Sequence, residues 1–378
     1  MSRRNTRSRS RSVAICLTVV VALLLCAAAP AWAAKTKPAP APSYTPYFGD
    51  LHAHTSWSDG WEGTPADAYA AAKAGGADFM ATTDHAHYIV GSAWEATMAQ
   101  AAAATTNSFV AIPGYEYWMP SSGECNVYGT ANMPPNLTTS TTGQGNPGNR
   151  DKSWDAIPTF YDWLAAPAQA GGVAQYNHPH YMTKDFQEFD GWSAARDQGM
   201  GMLEIDNEGT VAEDSFVLAL DKGWHVMPTC NSDTHYPNWI SGYEFRTVLL
   251  ASSLTPVGLY DAMRNQRGYG TEDKNLRITY TLNGQVMGST LAAPATSYAA
   301  KIHVEDPDGA ADAITGVEIV SGGGVVVASK ATNASVVDWS VALRSATSRY
   351  YYVRVTTASN SAGVPGLTAW TAPVWTGR

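Results

Sequence analysis

Cysteine is scarce in this chain, with four in 378 residues, at positions 16, 26, 125 and 230. No two of them stand at metal-ligand spacing. That excludes a four-cysteine zinc site and a small scaffold built on disulfides. Charge is thin as well, at 15% of residues. Of the 24 Lys and Arg residues, five fall within the first eleven positions, and no basic cluster follows residue 35. Nucleic-acid binding is therefore not expected, because its sequence-independent affinity comes from clustered cations neutralising phosphates. Long apolar runs are also missing. The one candidate, "VAICLTVVVALLL" at 13–25, falls short of the ~20 residues that a membrane-crossing helix needs.

That run has a natural context. "MSRRNTRSRSRS" is a basic stretch before it, and "AAAPAWAA" after it offers small residues for cleavage near Ala33 or Ala34. Residues 1–34 read as a secretory signal peptide, and the mature chain is expected to be secreted or periplasmic, with no transmembrane segment. Ser2-Arg3-Arg4 hints at twin-arginine export, without the apolar residues expected just after the pair. Cys26 is a poor lipid-anchor site because Leu25 precedes it. "KTKPAPAPSYTP" (35–46) is a Pro/Ala linker. Loss of the leader's five arginines takes the formal charge from −9 to −14 and leaves Cys125 and Cys230 as the remaining cysteines. An oxidising compartment permits a disulfide between them; two buried thiols are the alternative.

Two domains are expected from length and pattern. Residues 44–273 alternate apolar runs with Ala-rich helical stretches, which predicts an α/β fold with a parallel sheet. "TPADAYAAAKAGG" (64–76) is a helix with Thr64 as N-cap and Pro65 in the first turn. "ADFMATTDH", "FVAIPGYEY", "GGVAQYNHPH", "GMLEIDNEG" and "HVMPTCNSDTH" are strands running into polar ends. Near residue 274 the character changes. Short β-branched alternating segments, with turn signals at Asn283-Gly284 and Pro307-Asp308-Gly309, predict a small all-β sandwich over 274–378. The stretch 132–152 is polar and aperiodic, and reads as a loop near a site entrance.

The chemistry collects at the strand ends, where α/β proteins build their sites. "GDLHAHTSWSDG" supplies His52, His54 and Asp59. "TTDH" supplies Asp84 and His85, "PGYE" Glu116, "NHPH" His178 and His180, and "NSDTH" Asp233 and His235. In His-x-His and Asp-x-His, residues i and i+2 share one face of an extended chain, so one strand delivers two ligands side by side. Imidazole and carboxylate donors suit Zn²⁺, Mn²⁺ or Fe²⁺. One such pair in a loop carries little weight. Five groups at successive strand ends point to a site for several metal ions.

The set "DLHAHTSWSDG", "TTDH", "PGYE", "NHP" and "NSDTH" resembles the motifs of the PHP (polymerase and histidinol phosphatase) superfamily. The opening "YFGDLHAHTSWSDG" and the ending "YYYVRVTTA…AWTAPVWTG" are similar to its CehA/McbA-type metallohydrolases. The resemblance runs over about 44–273 and implies a distorted barrel of seven βα units. It also implies roles. His52 and His54 would hold one metal with Glu116 and Asp233, Glu116 would bridge to a metal also held by His178, and Asp59, His85 and His235 would hold another. Two or three divalent ions are implied, with Asp50 and Asp84 orienting the imidazoles from behind or capping the loop backbone. Where the group often shows "GHVNVY", this chain has "GECNVY", so Glu124 stands in place of a histidine as a substitute ligand or at the cost of one metal.

The expected activity is that of an exported hydrolase using a metal-bridging hydroxide, with phosphoesters, small or polymer-linked, as the leading substrate class. A carboxylic ester or carbamate hydrolase with the same metal site is the alternative, favoured by Trp57, Trp61, Tyr117 and Trp118 near the motifs. A glycan-binding module with a structural metal is the reading from another class. Its weakness is that structural sites are usually closed by four ligands, and here there are more. His180 is a candidate general acid and His87 an extra histidine of the same region. Lys184, Arg196 and Arg246 are candidate anion-binding groups, each with ordinary surface charge as the default.

Overall fold

Thr64 opens the first helix as its spacing predicts. Its hydroxyl accepts from the Asp67 N–H, the Asp67 carboxylate returns to the Thr64 N–H, and Pro65 occupies the first turn. The structure is a computed structural model that describes residues 43–137, 154, 156–180, 185–344, 347–358 and 366–378. The leader, the linker up to residue 42, most of the 132–152 insertion and Lys184 lie outside the described residues.

The first part of the chain runs β1 (Thr45–Asp50), α1 (Pro65–Ala74), β2 (Phe79–Thr82), α2 (Ser92–Ala104), β3 (Val110–Met119), β4 (Gly123–Tyr128), α3 (Ile157–Leu164) and β5 (Val173–Tyr176). It continues with α4 (Ala194–Asp197), β6 (Met200–Asn207), β7 (Thr210–Val211), α5 (Glu213–Lys222), β8 (Met227–Asn231), β9 (Arg246–Ala251), α6 (Pro256–Arg264) and β10 (Gly268–Thr271). Strands β2, β6 and β8 are buried along their whole length, which explains why they read as apolar runs without alternation.

The fold is mixed α/β around one large sheet with few helices. Strands β1, β2 and β3 pair in parallel, as do β5, β6 and β8. Between the two groups lies β4, antiparallel to both β3 and β5, so the sheet is mixed where a parallel one was expected. The six parallel strands end on one rim, and β4 begins there. After β8 the chain returns to β1. Ala53 bridges Thr234, the Asp233 N–H donates to the His52 carbonyl at 2.8 Å, and the His54 N–H donates to the Thr234 carbonyl at 2.9 Å.

The C-terminal part is all β: β11 (Arg277–Leu282), β12 (Gln285–Val286), β13 (Ser297–Glu305), β14 (Ile314–Ser321), β15 (Val325–Ala334), β16 (Val336–Arg344), β17 (Tyr350–Thr357), β18 (Thr368–Thr371) and β19 (Val374–Trp375). The predicted turn at Asn283-Gly284 joins β11 to β12, with both residues at positive φ. Strands β12, β11, β13 and β16 form a separate sheet. Strands β14, β15, β17, β18 and β19 instead continue the large sheet, because β18 pairs with β10. One apolar core runs from Leu51, Phe79 and Val248 through Tyr269 and Tyr280 to Ile319 and Val353.

Cys125 and Cys230 are free, buried thiols, so the two-thiol alternative describes them and the disulfide is corrected. The reason is topological. Cys125 pairs across β4–β5 with Tyr176, and Cys230 across β8–β6 with Asp206, leaving two strands between them. At ~4.8 Å per strand that separation is about 14 Å, well beyond the ~7 Å limit for a disulfide.

Candidate metal centre

Nine donor residues converge on the rim: His52, His54, Asp59, His85, Glu116, Glu124, His178, Asp233 and His235. Eight are the ligands expected from the motifs, and the ninth is the substitute Glu124. His52 and His54 follow β1, His85 follows β2, His178 follows β5, and Asp233 and His235 follow β8. Glu116 lies within β3 and Glu124 near the start of β4. Glu116 pairs with Asn126, and Trp118 with Glu124, so all four share one sheet face. A bridge between His85 and Glu116 ties the β2 exit to β3.

Glu116 is the hub. Its Oε1 lies 3.2 Å from both His52 Nε2 and His178 Nε2 and accepts from Asn177 Nδ2 at 2.7 Å. Its Oε2 lies 3.3 Å from His54 Nε2 and 3.1 Å from His85 Nδ1. Asp233 Oδ1 lies 3.1 Å from both His52 Nε2 and His54 Nε2. Asp59 lies 3.2 Å from His85 Nε2 and 3.3 Å from His235 Nε2. Glu124 lies 3.4 Å from His178 Nε2 and 3.8 Å from His85 Nδ1.

This geometry fits metal ions. His52 Nε2 and His54 Nε2 face each other at 3.3 Å. Two nitrogens each ~2.0–2.1 Å from one tetrahedral zinc stand about 3.3–3.4 Å apart. His85 Nδ1 and Asp233 Oδ1 are buried and make no hydrogen bond, although carboxylates or imidazoles stand close by. Orphaned buried donor atoms of that kind are what ligand positions look like. Asp233 (φ 46°) and His178 (φ 29°) also hold left-handed backbone, which side-chain-bearing residues adopt at a cost that clusters at functional sites.

Burial works against charge throughout the cluster, but the partners outweigh it. Glu116 and Asp233 sit well below the ordinary carboxylate range because His52, and for Asp233 also His54, lie against them. Asp59 is lowered by His235 and His85. His178 is raised to about 9 by Glu116. Glu124 is the exception. Burial, then the neighbouring Glu116 charge, raise it to about 7.

One residue that sequence reasoning missed is Glu204 of β6. It is fully buried behind the cluster. Its Oε1 lies 3.2 Å from His52 Nδ1 and accepts from Asn231 Nδ2 at 2.8 Å, and its Oε2 accepts from the His178 N–H at 2.8 Å and Asn207 Nδ2 at 2.9 Å. A carboxylate on Nδ1 leaves His52 Nε2 free to ligate. The signal was available, as a lone Glu inside an apolar strand. Asp50 and Asp84 touch no imidazole directly; Asp50 caps loop backbone, and Asp84 does so while reaching His54 through Ser58. Asp50 accepts from the His52 N–H at 2.9 Å. Asp84 accepts from the Thr55 N–H and hydroxyl and from Ser58 Oγ, and Ser58 in turn contacts His54 Nδ1 at 3.3 Å.

The cluster floors a cavity of about 660 Å³, whose walls include Tyr88, Trp118, His87 and His180. His180 is partly exposed and its Nε2 lies 2.8 Å from Asp214 Oδ1. Among the described residues lining the cavity there is no Lys or Arg. Arg246 is buried elsewhere, bonding the carbonyls of Ile240, Tyr243 and Phe245, and Arg196 pairs with Asp162. Neither lines the cavity: Arg196 is the ordinary charge of its default reading, and Arg246 is buried instead of at the surface. Tyr117 points into the core and Trp57 packs against it, whereas Trp61 is exposed and stacks on Tyr236.

No family model and no curated protein matches the chain. Among solved structures it is similar to a two-domain protein containing a predicted PHP-like metal-dependent phosphoesterase from Bacteroides vulgatus ATCC 8482. That likeness has 14% identity and a TM-score of 0.43, over 88% of this chain and 96% of that one. It is also similar to PsfC from Pseudomonas syringae PB-5123, at 16% identity and a TM-score of 0.34, over 54% of this chain and 82% of that one. Both likenesses are distant.

Proposed function

We propose that the chain is an exported metal-dependent hydrolase of the PHP type, close to the CehA/McbA group, and that it cleaves phosphoesters. The observation that carries the reading is the position of Glu116, a buried carboxylate within 3.1–3.3 Å of four imidazoles that come from three separate strand ends. A carboxylate so placed could serve more than one divalent ion. Strands β1 to β6 and β8, linked back to β1 through Ala53 and Thr234, are read as the distorted seven-stranded barrel of that type.

The residues would divide as follows. His52, His54 and Asp233 would hold one ion with Glu116. His178 and Glu124, both near Glu116, would hold a second. Asp59, His85 and His235 would hold a third. Zinc, manganese or iron in these positions would supply Lewis acidity and an activated water. The chain's own residues would do the rest. Glu204 fixes the tautomer of His52 and the backbone of His178. His180, held by Asp214 at the cavity edge, delivers a proton to the leaving group. Tyr88 and Trp118 bind the apolar part of the substrate.

A second reading, carboxylic ester or carbamate hydrolysis, is favoured by one observation. The described cavity wall carries aromatic rings and no Lys or Arg. Mature protein is to be stripped with a chelator and reloaded separately with zinc, manganese and iron(II). Initial rates are then measured on p-nitrophenyl phosphate, bis-p-nitrophenyl phosphate and a naphthyl N-methylcarbamate. Metal-dependent release from a phosphate ester alone supports the first reading, and release from the carbamate alone replaces it with the second. No metal-dependent release from any of them counts against both.

A further inference from the structure

We propose that Asp273, Asp306 and Asp312 form a second cation site, distinct from the histidine centre, that takes a calcium ion. It stands on its own observations and does not depend on what the histidine centre hydrolyses. Asp273 follows β10, Asp306 follows β13, and Asp312 ends the short 3-10 turn (Gly309–Asp312) that leads into β14. The three carboxylates each present an oxygen within 4.8 Å of the others. They are 3%, 2% and 2% exposed, respectively.

An acidic cluster alone says little, since most are solvated and empty. This one is neither solvated nor satisfied. Both carboxylate oxygens of Asp312 are buried without a donor among the described residues, and so is Oδ2 of Asp306. None of the three acids makes an ion pair with a Lys or Arg among the described residues; the adjacent Lys274 is engaged by Glu244. One oxygen each of Asp273 and Asp306 is held by local backbone, and the Asp273 carboxyl also lies against Asp312. Asp273 Oδ1 accepts from the Asn275 and Leu276 N–H groups, and Asp306 Oδ1 accepts from the Asp308 N–H. Those bonds fix two carboxylates and leave Asp306 Oδ2, with both oxygens of Asp312, without a donor.

Buried polar oxygens without a donor are costly, and three carboxylates this close repel one another when ionised. Burial, with the neighbouring acids adding to it, raises Asp273 to about 7 and Asp306 to about 6. A divalent cation removes the repulsion and satisfies the orphaned oxygens together. The donor set chooses the ion. It is oxygen only, with no imidazole or thiolate, which suits hard cations over zinc or iron. Calcium accepts irregular oxygen coordination by carboxylates, whereas magnesium retains several waters, for which a pocket this buried has little room. Since β10 belongs to the large sheet and β13 to the separate one, the ion would clamp the two sheets at the point where the chain passes between them.

The test uses the mature chain as wild type, Glu116→Ala, Asp312→Asn and Asp306→Asn. Thermal melts are recorded in EGTA and in millimolar CaCl₂, and calcium binding is followed by calorimetry. Wild type and Glu116→Ala are expected to gain about 2–4 °C or more in Tm with calcium and to bind it with matching affinity. Asp312→Asn and Asp306→Asn are expected to lose that gain while keeping the transition-metal content of the histidine centre. Each Asn variant serves as a check on the other if one fails to fold. Absence of a calcium effect in wild type overturns the proposal, as does a gain that survives in both Asn variants. A Tm that responds to pH but not to calcium also overturns it, and assigns the cluster a shared proton instead.

Discussion

Glu204→Gln is the substitution whose effect can be worked furthest from the structure. Each oxygen of Glu204 accepts from two groups: Oε1 from His52 Nδ1 and Asn231 Nδ2, Oε2 from the His178 N–H and Asn207 Nδ2. Glutamine has the same shape but places an NH₂ where one oxygen stood. At the Oε2 position that NH₂ meets a backbone N–H, which cannot reverse its role. At the Oε1 position it meets His52, which can, by moving its proton from Nδ1 to Nε2. That proton then occupies the nitrogen turned toward Glu116 and Asp233, where a metal needs a lone pair. Loss of an outer carboxylate of this kind typically lowers metal affinity 10–100-fold, or about 1.4–2.7 kcal/mol. At least one buried donor is also left unsatisfied, which costs ~1–3 kcal/mol of stability. Competition titration against a chelator of known affinity measures the first quantity, and urea unfolding of the metal-free protein measures the second. A folded variant that binds metal within twofold of wild type would refute the argument that Glu204 sets the His52 tautomer.

Other expectations are simpler. Glu116→Ala and His54→Ala should each abolish hydrolysis and lower the metal content measured by elemental analysis; full activity in either sinks the ligand assignment. Asp206, buried on β6 with Glu272 and Glu204 near it, is raised by burial to about 7 from 3.8. Between about pH 4 and pH 7 the folded chain therefore holds a proton that the unfolded chain releases, so this group's contribution to stability declines as pH rises through that window. Asp206→Asn should remove the decline, with a Tm advantage over wild type that widens from pH 5 to pH 8 and reflects on the order of 3 kcal/mol; a constant gap contradicts it. Burial pushes both thiols, Cys125 and Cys230, far above the ordinary range. A thiol reagent should label neither in the native mature chain and both after unfolding, and rapid native labelling counts against the packing.

The donor residues were legible because most of them stand just past an apolar run. Two donors at i and i+2 of an extended chain share a face wherever the strand goes, so His52 with His54 needed no tertiary information, whereas Asp233 reaches the cluster through a left-handed turn. Glu124 was legible only as a departure from a pattern. Its access to the rim depends on β4 running against β3, and "GECNVY" does not encode which strand it will oppose. Glu204 stayed hidden because its purpose lies in four partners that come from β5, β6, β8 and the β1 exit. The C-terminal strands were visible as strands, down to the Asn283-Gly284 turn. Their distribution between two sheets was not visible, since alternation gives a strand two faces but says nothing of which edge it will join.

That distribution bears on how the chain can be cut. Strand β10 hands its outer edge to β18, with Tyr269 opposite Thr371 and Thr271 opposite Ala369. A truncation after residue 273 would strip that edge and leave a row of bare amide and carbonyl groups beside the strands that hold the histidines. Such an edge recruits another chain or frays. The C-terminal segment therefore acts less as a detachable appendage than as the selvedge of the sheet, and any shortened form would need a substitute strand stitched onto β10 before its catalytic behaviour could be interpreted.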